Sequence, residues 1–166
     1  VMIVCNHFSA LDPVFLLSVY SDKHIKFLSK KEVSEKGLFA KAIIKAGAIP
    51  VDRDNPSMES LLTCVKTLKN GHKLVLFPEG TRNKTGTTDL QEIKAGAAIF
   101  ALKSKTPILP IMILKKARFF RRTNILVGKP FTLEEFYGQK VNTELTAKIN
   151  EKVRNEMIAV HEELKL

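Results

Sequence analysis

The chain has 166 residues, of which 45% are hydrophobic, and 27 Lys and Arg stand against 17 Asp and Glu for a formal net charge of +10. Those figures exclude a disordered chain, suit one domain with a sizeable core over residues 1–166, and leave too little for two comfortable ones. The charge draws anionic partners, whether nucleic acid, anionic lipid or acidic protein and cofactor, without choosing among them, and no apolar run reaches the roughly 20 residues of a membrane span.

Along the chain, strands alternate with helices. Val1 to Cys5 reads as a buried strand, and Val1 standing already inside it suggests a chain that begins partway through a longer protein, whose earlier segment could hold an anchor. Asp12-Pro13 opens a helix to about Tyr20, with Asp12 as its expected N-cap. Ile25 to Ser29 is a short strand. Gly37 to Ala46 has helical apolar spacing and stops at Gly47. Ala48 to Val51 is a strand. Asn55-Pro56 then starts a helix to Gly71, with Met58, Leu61, Leu62, Val65 and Leu68 on its expected apolar face. Lys73 to Phe77 is a buried strand, and a polar loop follows from Pro78 to about Ile93. Gly96 to Ser104 is a small-residue helix, Pro107 to Leu114 and Asn124 to Val127 are strands, and Thr143 to Leu164 is a long amphipathic helix.

This alternation predicts an α/β fold, a largely parallel central sheet with helices on both faces. Ligands of such sheets bind beyond the carboxyl ends of the strands. Three polar clusters stand at strand ends: Asn6 to Asp12, Asp52 to Asp54, and Pro78 to Asn83.

In Asn6-His7-Phe8-Ser9-Ala10-Leu11-Asp12, a histidine and a carboxylate stand five residues apart where a strand gives way to a helix. Histidine titrates near neutrality and can take a proton from a hydroxyl, and an aspartate on its other ring nitrogen fixes the tautomer and steadies the imidazolium. Taken alone, such a pair is more often capping and surface chemistry. In Phe77-Pro78-Glu79-Gly80-Thr81-Arg82-Asn83, Pro78 fixes one torsion, Gly80 permits a bend or a close ligand approach, and Arg82 has the shape for bidentate phosphate contact. A turn with an incidental Glu-Arg pair is the ordinary alternative. Gly47 to Arg53 is a short apolar strand ending in a cation, which is either solvated or a second phosphate contact.

Together these blocks resemble the four motifs of the glycerolipid acyltransferases, and most closely the 1-acyl-sn-glycerol-3-phosphate acyltransferase family. The first is Asn6-His7 with Asp12, and Ser9 as in many members. The second is Gly47 through Arg53, with Pro50 where many members carry Phe. The third is Phe77 through Arg82, complete, and the fourth is Pro107-Ile108-Leu109-Pro110-Ile111. The resemblance covers about Val1 to Val127. It implies transfer of a fatty acyl group from acyl-CoA or acyl carrier protein to the hydroxyl of 1-acylglycerol 3-phosphate, with glycerol 3-phosphate or an aminolipid as alternative acceptors. His7 would be the general base and Asp12 its orienting partner. Arg53, Glu79, Gly80, Thr81 and Arg82 would form the acceptor site, and Asn6 and Ser9 would support the loop. It implies no metal and no cofactor besides the donor substrate, and work at the cytoplasmic face of a membrane, peripherally or through an anchor.

A non-catalytic basic module binding anionic membrane or nucleic acid is the reading from another class. It requires the His-Asp and Phe-Pro-Glu-Gly-Thr-Arg blocks to be coincidence. The run Lys115 to Arg122 mixes cations with two phenylalanines and suits a membrane surface or an acyl carrier better than nucleic acid, with a solvated loop as its ordinary reading. Cys5 and Cys64 fall among apolar neighbours and read as buried free thiols, while His24, His72 and His161 read as surface residues without metal spacing.

Overall fold

In the structure, a computed structural model, residues 1–20, 24–34, 37–52, 57–85, 87–94, 96–116, 118 and 122–163 are described. Six strands form one sheet in the order β3-β2-β4-β1-β5-β6. They are β1 (Met2–Cys5), β2 (Ile25–Lys30), β3 (Ala48–Val51), β4 (Lys73–Leu76), β5 (Ile108–Ile113) and β6 (Ile125–Val127). β6 runs antiparallel to β5, and the other pairings are parallel. The helices are α1 (Asp12–Tyr20), α2 (Gly37–Lys45), α3 (Met58–Lys69), α4 (Gly96–Ser104) and α5 (Thr143–Glu163).

The strands are near-continuous apolar runs because both faces of the sheet are covered. Alternate side chains of β1 enter different cores. Met2 and Val4 pack with Cys64 and Leu68 of α3, Ala98 and Phe100 of α4, and Ile149, Val153 and Met157 of α5. Ile3 and Cys5 pack on the opposite face with Leu16 of α1, Phe27, Val75 and Phe77, and Ile43 of α2 lies against that group. The two cysteines are buried and unpaired.

This wiring creates the crevice. β1 and β4 are hydrogen-bonded neighbours, yet the chain leaves β1 for α1 on one face and leaves β4 for α4 on the other. Divergence of two adjacent parallel strands opens a gap at their carboxyl ends. The register fixes what meets there. Val4 pairs with Leu76, so continuing both chains by three residues sets His7 opposite Glu79.

Two helix expectations are corrected. α3 is capped by Ser57, whose Oγ accepts from the Ser60 amide at 3.1 Å, and it begins at Met58; Asn55 and Pro56 lie outside the described residues. Its buried residues are Cys64 and Leu68, whereas Met58 and Leu62 are 69% and 62% exposed. The apolar positions on α3 span a wider arc than the sheet covers, and the phase is set by the two residues that reach β1 and β4. Gly47, closing α2, has φ +101, and a Cβ there would lie 2.8 Å from the Ile25 carbonyl oxygen, so the chain can turn into β3 only as glycine.

Candidate active site

His7 sits just beyond β1, 8% exposed, and its Nδ1 lies 2.8 Å from Asp12 Oδ2. The same oxygen accepts the backbone amides of Phe8 and Ser9, each at 2.7 Å. Ser9 shapes the turn in its own way. Its Oγ accepts from the Leu11 amide at 3.2 Å, and its carbonyl accepts from the Asp12 amide at 3.1 Å. Asp12 is fully buried, and three donors on one oxygen, at the first turn of α1, compensate its charge.

The expected N-cap role for the Asp12 side chain does not hold. Its carboxylate points back to residues 7–9, and the Leu11 carbonyl takes the first helical amide, from Phe15 at 3.0 Å. Asp12 Oδ1 is buried with no hydrogen-bond partner among the described residues. With Nδ1–H donating to Asp12, Nε2 keeps the lone pair, which is the tautomer a general base needs.

The third motif and the residue that follows it grip the histidine's backbone. The His7 amide donates to Glu79 Oε1 at 3.2 Å, and the His7 carbonyl accepts from the Asn83 amide at 2.6 Å. The Phe77 ring stacks on the imidazole, with centroids 4.1 Å apart and planes 23° from parallel. Glu79 Oε2 accepts the Gln91 amide at 3.2 Å, so one carboxylate ties His7 to the loop that returns toward α4. Burial pushes the Glu79 carboxyl above the usual carboxylate range, opposed by those two amides and by His7. Burial pushes the Cys5 thiol far up, helped by the charges of Asp12 and Glu79 behind the histidine.

Asn6 works as an extra rung of the sheet. Its Nδ2 donates to the Ile113 carbonyl at 2.9 Å and its Oδ1 accepts the Ile113 amide at 2.7 Å, locking the end of β1 to the end of β5.

In front of His7 lies a cleft of about 660 Å³. His7, Ser29, Lys30, Thr81, Arg82 and Lys94 give it polar lining, and Gly80 lines it too. Val14 and Leu17 of α1, Phe27 and Leu28 of β2, and Ala42 and Ile43 of α2 give it apolar lining. Gly80, Thr81 and Arg82 thus face the same space as the histidine. Glu79 does not, for it is 1% exposed and both oxygens are taken by backbone amides, so the expected place at the acceptor's phosphate gives way to a place behind the histidine. Arg53 lies outside the described residues.

Sequence reasoning gave no separate part to Phe77, Asn83 or Lys94. Phe77 opens the third motif and Asn83 directly follows it, and that position is the one signal that could have marked them. Asn83 also organises the loop, accepting the Thr85 amide at 2.8 Å and donating to the Asp89 carbonyl at 2.9 Å. Lys94 carries no such signal, because only the fold returns it to the cleft. Among the described residues no group of three His, Cys, Asp or Glu could hold a metal ion, and no helix is long and apolar enough to cross a membrane.

A family model described as acyltransferase matches residues 1–114. The 1-acyl-sn-glycerol-3-phosphate acyltransferase of Streptococcus pneumoniae is 28% identical over 99% of this chain and 61% of that protein. The protein of the same name from Helicobacter pylori is 37% identical over 72% of this chain and 50% of that protein. Among solved structures, the crystal structure of the 1-acyl-sn-glycerophosphate (LPA) acyltransferase PlsC from Thermotoga maritima shares the fold, with TM-score 0.63 at 23% identity over 99% of this chain and 66% of that one. The chain thus spans about half to three-fifths of the length of these two curated relatives.

Proposed function

The chain belongs to the acyltransferase family, and we propose that it moves a fatty acyl group from an acyl thioester to the free hydroxyl of 1-acylglycerol 3-phosphate, giving phosphatidic acid. The observation that carries this reading is the His7–Asp12 pair, 2.8 Å apart, with His7 lining a cleft that holds both cationic and apolar side chains. The names borne by its relatives support the choice of acceptor.

In this reading His7 Nε2 takes the proton of the acceptor hydroxyl as that oxygen attacks the thioester carbonyl. The tetrahedral intermediate collapses, the C–S bond breaks, the acyl group stays on the new ester oxygen, and the imidazolium returns its proton to the departing thiolate. Asp12 stays ionised and stabilises the imidazolium throughout. The base contributes about a hundredfold to ten-thousandfold. The acceptor is activated directly, so no covalent acyl-enzyme is needed, and no metal or further cofactor enters.

Arg82 and Thr81 are assigned to the acceptor's phosphate, with Arg53 as its expected companion, and Gly80 lets the substrate come close. Asn6, Ser9 and Glu79 hold the histidine. The donor is acyl-CoA or acyl carrier protein. The reading includes a membrane surface on its cytoplasmic side, where a water-soluble thioester meets a lipid acceptor. Supporting it, Val14 and Val33 are 58% and 45% exposed and also line the cleft, and Lys30 and Lys31 are exposed beside Val33.

The test is release of free thiol from palmitoyl-CoA, and from palmitoyl-acyl carrier protein, with and without lysophosphatidate. Release that depends on lysophosphatidate and is matched by phosphatidate formation supports the reading. Thiol release that ignores the acceptor contradicts it.

A further inference from the structure

We infer that Lys94, which lies in none of the four motif blocks, supplies a second cation for a substrate phosphate in this cleft, and that Gly80 is the slot through which its side chain reaches it. The inference rests on the function proposed above and adds to it a binding residue. Three cations among the described residues line the cleft: Lys30, Arg82 and Lys94. Lys30 is paired with Glu32 at 3.2 Å. Arg82 and Lys94 have no carboxylate partner among the described residues, so their charge is available to a ligand.

The backbone holds Lys94 where it is. Its amide donates to the Pro78 carbonyl at 2.9 Å, clipping residue 94 to the third motif. Its aliphatic stem then runs across Gly80. A Cβ at position 80 would stand 2.8 Å from Lys94 Cδ and 3.1 Å from Cε. Gly80 has φ +67, so the backbone calls for glycine, and a side chain there would displace the Lys94 stem. Lys94 is exposed and lines the cleft together with Thr81 and Arg82. A compact ammonium next to a planar guanidinium suits a phosphate with several oxygens to share.

Two substrates bring phosphate: the lysophospholipid headgroup and, where the donor is acyl-CoA, its nucleotide end. The headgroup is favoured. Lys94 is clipped to the same motif that grips His7, the phosphate is one carbon from the reacting hydroxyl, and the pantetheine arm keeps the nucleotide far from the thioester.

The test compares wild type, Lys94→Met and Lys94→Arg in mixed micelles, measuring KM for lysophosphatidate and for palmitoyl-CoA separately. Lys94→Met is expected to raise the lysophosphatidate KM about tenfold with a smaller fall in kcat, and Lys94→Arg to recover most of the loss. A rise in the palmitoyl-CoA KM instead assigns the same contact to the donor's phosphate. Both KM values within twofold of wild type, or a loss of kcat alone with a lowered Tm, overturn the inference. Calorimetric titration of the same proteins with lysophosphatidate micelles needs no turnover. If wild type proves inactive the proposed reaction fails, yet weaker binding by Lys94→Met still supports the contact and equal binding rejects it.

Discussion

The backbone amide of His7 donates to the carboxylate of Glu79 across 3.2 Å, a link between residues that are 72 apart in the chain and face each other through the β1–β4 register. The strand pairing delivers the two loops together, and the buried carboxylate converts that proximity into a fixed position for the histidine. Asp12 fixes the ring, Glu79 and Asn83 fix the backbone beneath it, and Phe77 covers one face.

Glu79→Gln tests that arrangement. A glutamine carbonyl can satisfy one of the two amides, but its NH2 group meets the other amide donor to donor. Leaving a buried donor unmade costs about 1–3 kcal/mol, and kcat is expected to fall through displacement of His7. The pH dependence follows from the raised Glu79 carboxyl. Because the folded protein holds this proton more tightly than the unfolded chain does, the associated stability is fully present below the ordinary value of 4.5 and is lost as pH rises through the raised folded value. Urea denaturation across pH is expected to show the gap between wild type and Glu79→Gln narrowing as pH rises. A gap that widens with pH contradicts the assignment.

Asp12→Asn keeps the shape of the turn and removes the charge. An amide oxygen can still accept one N–H, but it gives little support to an imidazolium, and the NH2 group invites the wrong tautomer. The comparable change in a Ser-His-Asp triad lowers kcat by about ten-thousandfold. A loss of kcat of at least about a hundredfold is expected here, with a much smaller change in the acceptor KM. Steady-state kinetics that show the reverse split would place Asp12 in acceptor binding.

The sheet order could not be read from the chain, but its parts could. The apolar runs at Val1–Cys5 and Lys73–Phe77, each followed by a polar block, mark buried strands with functional ends, and both lie in the sheet. His7 and Asp12 were legible as a pair because five residues of loop is a local matter. Which way a side chain turns at a strand end is not local. Glu79 and Arg82 look equally available in sequence, yet the β1–β4 register turns the first inward and leaves the second on the cleft. Lys94 was silent for the same reason, since its place depends on a loop that folds back over Gly80.

The revised phase of α3 gives a stability prediction. Leu62 is 62% exposed and Leu68 is 1% exposed. Leu62→Ser is expected to change stability by no more than about 0.5 kcal/mol, and Leu68→Ala to cost about 2–5 kcal/mol. Equal effects in urea denaturation would restore the apolar face drawn from the sequence.

The cysteines give a chemical one. Burial pushes the Cys64 thiol up to about 11 and the Cys5 thiol well above its ordinary value. The thiolate is the reactive form, so at pH 8 neither is expected to react with a disulfide reagent until the chain unfolds. Rapid labelling of the native protein would show that one of these sites opens.

The central claim is that His7 is the base for acyl transfer. The direct measurement is acceptor-dependent thiol release by His7→Ala, alongside its circular dichroism and Tm. The account predicts a folded protein whose kcat has fallen by about a hundredfold or more. A folded His7→Ala protein that transfers acyl groups at close to the wild-type rate would contradict it.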